Sequence, residues 1–410
     1  MKNEKNFTPV LRFMVVSDVH IHDEEDVERE RFAKAIRDAY ALSEADAAYN
    51  KLDALYVVGD FANSGSEIQM RAAKKIIDEN IKPGTLCRLT MASHEFHTTP
   101  ENGEASARAL FAEVFPGYPL DSHEVINGFH FIAVTTTHGC SFREPQKAFA
   151  RDELKKAAAE DSKKPIFFFQ HPHLSDTVYG SINWGEDELI PILMNYPQVI
   201  DFSGHSHAPI NDPRSIHQKH FTALGTGSLS YFELDEFDKI YGTIPPNKKQ
   251  CAQMLIVEAD ENNRVRIYPY DVLSGTFFPM VHRIDTPSDP STFLYTDERY
   301  KTTDAPSFAA DAAVTVEAKD TSAVISFPQA KPEAGADYVN SYTVVLRYAD
   351  GMIAKQFSVW SEYYFVPMPE TVSQEIDDLE PDTEYTVEVY PEGFFKNRGK
   401  QPLKGSFKTF

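Results

Sequence analysis

Two histidines separated by one residue stand directly after an apolar run in the stretch VIDFSGHSHA, residues 199–208. The run is typical of a buried strand, and Ser203–Gly204 favours a turn at its end. His205 and His207 can therefore reach into the same space beyond the strand. Neutral imidazoles are common metal ligands, so this spacing raises the hypothesis of a metal site.

Four further apolar runs are followed by residues of the same chemical types. In open α/β sheets, ligands bind in the crevice beyond the carboxyl ends of the strands. We therefore expect these side chains to meet there, although they are scattered through the sequence. FMVVS leads to Asp18 and His20, LYVVG to Asp60, LTMAS to His94 and Glu95, and IFFFQ to His171 and His173.

Each of these residues also has an ordinary structural interpretation. A single histidine after a strand is more often a hydrogen-bonded surface or core residue, and an aspartate after Gly59 is more often a turn former. Asp18 or Asp23 could instead cap the next helix. The repetition at five strand ends favours a joint site. Aspartate and histidine without cysteine suit Zn, Mn or Fe, and two such ions can share a bridging carboxylate.

The order of these blocks resembles the calcineurin-like metallophosphoesterases, and among them the cyclic-nucleotide phosphodiesterase-like branch. The resemblance covers residues 1 to about 285 and implies an α/β domain in four layers, an αββα sandwich, with two divalent metal ions. The blocks that carry it are Asp18-Val19-His20, Gly59-Asp60, Ser93-His94-Glu95, His171 and Gly204-His205-Ser206-His207. By that resemblance Asp18, His20 and His207 hold the first metal, His171 and His205 help to hold the second, and Asp60 bridges them.

The block around His94 departs from the family pattern. Where these enzymes usually read G-N-H, this chain reads Ala92-Ser93-His94. Ser93 takes the place of an asparagine ligand of the second metal, and its short neutral hydroxyl is a poor ligand, so we expect a weaker second site. The resemblance places His94 beside the phosphate, where it donates a proton to the leaving group or stabilises its charge. Glu95 either orients His94 or faces solvent.

Other residues near the site have both a functional and a structural interpretation. His173 lines the pocket or has a local structural role, and Asn63 caps a helix or contacts substrate. Arg143 meets a phosphate oxygen or forms a surface salt bridge. Three further histidines are candidate substrate contacts: His22, His97 and His138.

Alternating strand and helix patterns must position these residues. The runs at 54–58, 86–91, 129–136, 165–169 and 198–202 read as strands, and helices are expected near 146–158 and 186–195. Phe32, Ile36, Ala39 and Tyr40 recur at helical spacing. A second helix should begin after Ser66, with Ile68, Ala72 and Ile76 on its buried face. After residue 215 the pattern becomes mostly antiparallel β.

A second domain is predicted beyond a linker. Residues 286–308 are rich in Pro, Ser, Thr and Asp, and residues 309–410 alternate at period two across the size of one β-sandwich. The segment 379–389 resembles the tyrosine-corner region of fibronectin type III domains, which implies an all-β Ig-like sandwich. By that resemblance Tyr385 hydrogen-bonds back to the preceding loop, and Phe327 stands where that family often carries a core tryptophan. The predicted domains are therefore 1–285 and 309–410.

Composition limits the classes of function. The chain has 40 Lys+Arg and 62 Asp+Glu, a net charge of −22, which argues against general binding to nucleic acid or acidic membranes. It has no apolar stretch long enough to span a bilayer. Cys87, Cys140 and Cys251 suggest no disulfide framework, and each is expected to be a buried small hydrophobe. The start carries no secretion signal, so a cytoplasmic location is the expectation, unless a signal has been removed.

Two functions follow from these patterns. The first is a metal-dependent phosphohydrolase, with a phosphodiester as the favoured substrate and phosphomonoesters and nucleotide-type pyrophosphates left open. Metal-bound hydroxide, available near neutral pH, would attack phosphorus. The second is a binding or scaffold protein that keeps the fold but acts through its C-terminal sandwich, whose partner the sequence does not identify. The altered Ser93 block motivates this alternative.

Overall fold

The chain forms two compact units, Met1–Thr296 and Asp297–Phe410. A computed structural model describes residues 6–97, 103–234, 245, 247, 249–250, 252–301 and 304–410. The division falls inside the segment 286–308, which contains the short 3-10 helices Pro290–Thr292 and Asp297–Lys301. The limits 285 and 309 stay predictions. Among the described residues, none of the helices combines the length and apolar character that crossing a bilayer requires.

The first unit alternates strands and helices along its first two hundred residues and then becomes mostly β. Its strands are β1 (Pro9–Val16), β2 (Ala54–Val58), β3 (Leu86–Thr90), β4 (Ser122–Ile126), β5 (Phe129–Ala133), β6 (Ile166–Phe169), β7 (His173–Leu174), β8 (Gly185–Glu186), β9 (Val199–Ser203), β10 (Ile216–Gln218), β11 (Thr222–Gly225), β12 (Gln253–Asp260), β13 (Val265–Asp271), β14 (Thr276–Phe277) and β15 (His282–Ile284). Its α-helices are α1 (Val27–Glu44), α2 (Glu67–Asn80), α3 (Gly103–Val114), α4 (Glu144–Glu160), α5 (Ser181–Trp184) and α6 (Ile190–Leu193), and 3-10 helices span Ser93–Phe96 and Pro213–Ser215.

Two sheets pack face to face in this unit. The first has the strand order β14-β13-β12-β1-β2-β3, with β15 also paired to β13, and the second has the order β10-β11-β9-β6-β5-β4. Aromatic rings fill the space between them: Phe13 lies 4.8 Å from Phe167, and Tyr56 stacks on Phe169 at 3.9 Å. Such rings bury large apolar areas and favour these edge-to-face and stacked contacts.

Helices cover the outer face of each sheet. The apolar faces of α1, α2 and α3 share one core with β1, β2, β12 and β13, and α4 and α6 share another with β5, β6 and β9. The order helices, sheet, sheet, helices confirms the predicted four-layer α/β sandwich. The strands after residue 215 are mostly antiparallel, as expected: β12 pairs antiparallel with both β1 and β13.

Helix details differ from expectation at three places. Asp26, rather than Asp18 or Asp23, caps α1 by accepting from the Arg29 N–H. Ser66 caps α2 and Ile76 is buried, both as predicted. Ala72 is only half-buried and Ile68 is 57% exposed, because the buried face of that helix is centred on Met70, Ala73 and Ile77. The helix expected over 186–195 is reduced to α6, because residues 185–186 pair with β7 instead.

The second unit is all β, as expected. Its strands are β16 (Thr315–Ala318), β17 (Ala323–Pro328), β18 (Ser341–Tyr348), β19 (Ile353–Trp360), β20 (Thr371–Ile376), β21 (Glu384–Glu392) and β22 (Leu403–Lys408). They form two sheets, β16-β17-β20 and β19-β18-β21-β22, around a core of their own. Phe327 is buried there against Tyr342, with ring centroids 4.8 Å apart.

The tyrosine corner is present. The Tyr385 hydroxyl accepts from the Glu380 N–H at 2.9 Å, and the side chain is 3% exposed. We expect Tyr385→Phe to lower the free energy of unfolding of the second unit by about 1 kcal/mol, because the Glu380 N–H loses its acceptor. Fluorescence-detected urea unfolding in a Trp184→Phe background reports on this unit through Trp360.

The matched control is Tyr348→Phe. The Tyr348 hydroxyl bonds to the exposed Glu380 carboxylate at 3.0 Å, so its loss leaves no buried group unpaired. Equal unfolding midpoints for the two variants would show that the corner contributes nothing specific.

Candidate metal centre

The strands that precede the predicted ligands end at one edge of the sandwich. β1, β2 and β3 are parallel neighbours in the first sheet, and β6 and β9 are parallel neighbours in the second. Their carboxyl ends therefore face the same side in each sheet. The Asp18 N–H donates to the Gly59 carbonyl at 3.2 Å, and the Gly204 N–H donates to the His171 carbonyl at 2.8 Å. The five sequence blocks meet at this edge.

The backbone at the ligand positions is unusual. Five of these residues adopt a left-handed conformation, with φ between 50° and 73°: Asp18, His20, Asp60, His205 and His207. Residues other than glycine rarely do so, and such strain persists only where the surroundings hold it. The turns direct two side chains from each of the D-x-H and H-x-H blocks into one space. Strain repeated at five positions indicates a functional site.

Two glycines make the close approach possible. A Cβ added at Gly59 would lie 2.6 Å from His171 Nδ1, and a Cβ at Gly204 would lie 2.4 Å from Asp18 Oδ2. Both distances are far below van der Waals contact. The glycines of the G-D and G-H-x-H blocks therefore leave room for a ligand delivered by another strand.

The first ligand cluster joins both sheets. Asp18, His20 and His207 place one ligand atom each within 4.8 Å of the others. His207 Nε2 lies 3.2 Å from Asp18 Oδ1 and 3.1 Å from His20 Nε2. The His207 Nδ1–H donates to the Tyr231 carbonyl at 3.1 Å, which fixes the tautomer and directs the Nε2 lone pair into the cluster.

The second cluster contains Asp60, His171 and His205, again within 4.8 Å. The His171 Nδ1–H donates to the Val58 carbonyl at 2.7 Å. Its Nε2 is buried without a hydrogen-bond partner and lies 3.0 Å from Asp60 Oδ2. A lone pair that faces a carboxylate at this distance needs a positive charge between them. This donor set therefore fits a divalent ion with nitrogen and oxygen ligands.

The charges of the two carboxylates dominate the electrostatics. Burial alone would raise the pKa of Asp18, but His207 and His171 hold it well below its ordinary value. In the same way His171 holds the pKa of Asp60 low, against the effect of burial. Burial lowers the pKa of His171, yet Asp60 and Asp18 outweigh it and raise the value to about 10. Cations at these positions would take the place of such protons, because metal ligands bind deprotonated.

Ser93 interacts with the Asp60 carboxylate. The Ser93 hydroxyl donates to Asp60 Oδ2 at 3.2 Å. Cys140 is half-buried rather than a buried small hydrophobe, and its Sγ lies 3.2 Å from His205 Nε2. Cys87 is buried as expected, and Cys251 lies outside the described residues. The position that the family gives to an asparagine therefore carries a hydroxyl, and a thiol lies beside the neighbouring His205.

His94 lies beside His20 and Asp60, and Glu95 has neither of the two roles expected for it. The His94 Nδ1–H donates to the Asn63 carbonyl at 2.6 Å, and the ring lies 4.4 Å from that of His20. Glu95 is fully buried and neither orients His94 nor faces solvent. Its carboxylate accepts from the N–H groups of Asp60, Ala62 and Ala92 at 2.8–3.0 Å. Burial and the charge of Asp60 raise the pKa of Glu95 to about 8.

The remaining candidates divide between structure and surface. His173 is buried and bonded through its ring nitrogens to the hydroxyls of Ser203 and Ser206, which is a structural role. Arg143 is 67% exposed and pairs with Glu104, as a surface salt bridge. The His97 ring stands 4.4 Å from His94. His22 and His138 carry no assigned contact with the ligand clusters.

Two aromatic residues beside the clusters were not predicted from the sequence. The Tyr231 ring lies 4.2 Å from that of His207, and the Trp184 ring lies 5.0 Å from that of His205. An isolated aromatic residue in a sequence is typical of a core, so no pattern distinguished them. Only the folded chain places one ring beside each cluster.

Comparison with known proteins agrees with this geometry. The sequence profile described as "Calcineurin-like phosphoesterase" matches residues 11–209, a range that contains every ligand block. The search of curated proteins gave no match.

Among solved structures, the purple acid phosphatase from yellow lupin (Lupinus luteus) seeds aligns at 14% identity with a TM-score of 0.48, over 68% of this chain and 54% of that one. The alignment thus spans about half of the lupin chain. A fibronectin type III domain of human collagen XX aligns at 23% identity with a TM-score of 0.18, over 26% of this chain and 91% of that one. On its profile match, its four-layer fold and its five ligand blocks, the N-terminal part of this chain belongs to the calcineurin-like phosphoesterase family.

Proposed function

We propose that the N-terminal unit hydrolyses phosphodiesters at a centre that holds two divalent metal ions. The family and the ligand clusters support the broader function of a metal-dependent phosphoesterase. The position of Asp60 supports a centre with two ions. Its carboxylate groups with His171 and His205, and also with His20 and His94. One carboxylate therefore lies between the two halves of the centre and can bridge two ions.

The ions and the chain have separate tasks in this proposal. Divalent ions held here would lower the pKa of a bound water and neutralise charge on the phosphate. The left-handed turns fix the ligand directions, and the Val58 and Tyr231 carbonyls hold His171 and His207 in the tautomer that presents Nε2. The Glu95 carboxylate fixes the backbone on both sides of Asp60 and at Ala92. The centre is thus preorganised by the fold.

His94 is the proposed catalytic residue. Because its Nδ1–H is bonded to the Asn63 carbonyl, Nε2 is the ring atom left to serve the substrate. As an imidazolium, His94 passes its Nε2 proton to the departing alcohol and becomes the neutral Nδ1–H tautomer. General acid assistance of this kind contributes about 10²–10⁴-fold to rate. It matters most for alkoxide leaving groups, which leave poorly without a proton.

Charge supports a diester as substrate. A phosphodiester carries one negative charge where a monoester carries up to two, so it meets less repulsion from a chain of net charge −22. The resemblance to the cyclic-nucleotide phosphodiesterase-like branch favours the same substrate class.

Ser93 favours one alternative, a binding or scaffold protein with an impaired centre. Its hydroxyl bonds to Asp60, and a serine supplies no amide oxygen to the second metal. The retention of the Asp60, His94, His171 and His205 geometry argues for catalysis instead. Ser93→Asn separates the two functions, as set out below.

Asp60→Asn tests the metal-dependent activity. Wild-type protein with Mn²⁺ should hydrolyse bis(p-nitrophenyl) phosphate and lose this activity on chelation. We expect the variant to lose at least about 10³-fold in kcat, because a neutral amide cannot bridge two cations. Asp176→Asn, an exposed carboxylate on the same unit, is the control. Turnover that persists after chelation and in the Asp60→Asn variant would contradict a metal-dependent mechanism.

His94→Asn tests the proton donor. We expect kcat to fall by about 10²–10⁴-fold on a diester with an alkyl leaving group and by much less with p-nitrophenolate, with the metal content unchanged. His220→Asn is the control, because His220 is an exposed histidine of the same unit. Equal losses on both substrates would assign His94 to metal binding rather than to proton transfer.

Ser93→Asn tests the second site. We expect wild-type protein to retain about one ion after dialysis, and Ser93→Asn to retain close to two and to turn over faster, because the amide adds an oxygen ligand. Ser93→Ala, which removes the hydroxyl and adds no ligand, should not gain an ion. Elemental analysis and steady-state kinetics measure both effects. Two ions retained at full occupancy by the wild type would contradict a weak second site, and no turnover by any of the three proteins would favour the scaffold function.

A further inference from the structure

We propose that Trp184 forms a wall beside the second cluster that binds an aromatic organic group of the phosphoester. This inference rests on the proposed function, since it names the part of the substrate that the metal ligands and His94 do not contact. The wall is the indole side chain of Trp184, carried by the one-turn helix α5.

Helix α5 is fixed to the loop that carries the paired histidines. A Cβ at Gly180 would lie 2.5 Å from the Cβ of Ser206, so the backbone at Gly180 passes directly against the G-H-S-H loop. Gly180 has φ of 90°, and its carbonyl accepts from the Trp184 N–H at 2.9 Å. The position of the helix is therefore set by the same loop that sets His205 and His207.

Trp184 borders the metal ligands directly. Its ring meets that of His205 edge to face, with centroids 5.0 Å apart and planes at 83°. The side chain is only half-buried, so a part of it remains open to a bound molecule. An indole in this place offers a large rigid apolar surface that loses little conformational entropy on binding.

Ile182 is the comparison residue on the same helix. It is 92% exposed and stands two residues before Trp184, and side chains so spaced do not face each other on a helix. The apolar surface beside the carboxylates and imidazoles of the centre is therefore the indole of Trp184.

The chemistry of the centre determines what this surface recognises. In the proposed function, the metal centre and His94 bind the charged phosphate. The wall carries no charged side chain, so it contacts an uncharged part of the substrate. A flat π-surface matches the indole best, because stacked and edge-to-face contacts add to simple burial. Aryl groups and nucleobases share this surface, so the ligand is an aromatic ester group, and the choice between the two belongs to the experiment.

Three diesters with a common leaving group isolate the effect. These are bis(p-nitrophenyl) phosphate, the p-nitrophenyl ester of thymidine 5′-phosphate, and methyl p-nitrophenyl phosphate. We expect Trp184→Ala to raise KM about tenfold for the first or the second, with kcat little changed, and to leave the methyl ester unaffected. Trp184→Phe should restore most of the loss. An effect confined to the thymidine ester identifies a nucleobase, and an effect confined to the aryl ester identifies a simple aryl group.

Matched variants and a second measurement complete the test. Ile182→Ala, on the same helix, and Ile353→Ala, an exposed isoleucine of the second unit, should leave KM for all three diesters unchanged. In Trp360→Phe protein, where Trp184 is the sole tryptophan, phenylphosphonate should change the fluorescence, and methylphosphonate should not.

Two results would overturn the inference. If Trp184→Ala lowers kcat equally for all three diesters, Trp184 supports His205 and does not contact substrate. If the wild type hydrolyses none of them, the proposed function fails. The fluorescence titration then still decides whether Trp184 receives an aromatic anion, and equal responses to the two phosphonates would exclude it.

Discussion

The structure of the centre depends on two carboxylates, Asp18 and Asp60, held without solvent contact among histidines. Burying a carboxylate is costly unless an opposite charge accompanies it. His207 stands 3.2 Å from Asp18 and His171 stands 3.0 Å from Asp60. The left-handed turns, the two close glycines and the Glu95 carboxylate all serve to keep these charged groups together. Positive charge between these carboxylates offsets the cost of burying them, which is why the arrangement suits cations.

Much of the fold could be predicted because its signals are local. Buried strands read as short apolar runs, and a carboxylate or imidazole after each run marks a strand end. Parallel pairing then brings those ends together, as β6 and β9 do for His171 and His205. The tyrosine corner could also be predicted, because Tyr385 and Glu380 lie only five residues apart in the sequence.

Other features depend on long-range packing and could not be predicted. The exposed Ile68 shows that the four-residue spacing of apolar positions does not settle the phase of a helix, since Met70, Ala73 and Ile77 are the residues that meet the sheet. The sequence left two roles open for Glu95, orienting His94 or facing solvent, but its buried carboxylate accepts from three backbone N–H groups instead. Trp184, on α5, and Tyr231 and Cys140 lie outside the five ligand blocks of the sequence, so no motif included them.

The departure at Ser93 gives the centre its individual character. Beside Asp60 and His205, the chain has a hydroxyl bonded to Asp60 and a thiol next to His205. In the proposed two-ion centre, the loss of one amide oxygen would weaken the second site while Asp60 still served both ions, so the two positions would bind their ions unequally. An unequal pair is consistent with an enzyme whose activity depends on the supply of one metal.

The most direct measurement is a crystal structure of Mn²⁺- or Zn²⁺-loaded protein with anomalous scattering recorded at the metal edge. Two peaks about 3.5–4 Å apart on either side of the Asp60 carboxylate, the one near His171 and His205 the weaker, are the result that this account predicts. A single peak remote from Asp60, or none within the two clusters at saturating metal, would contradict it.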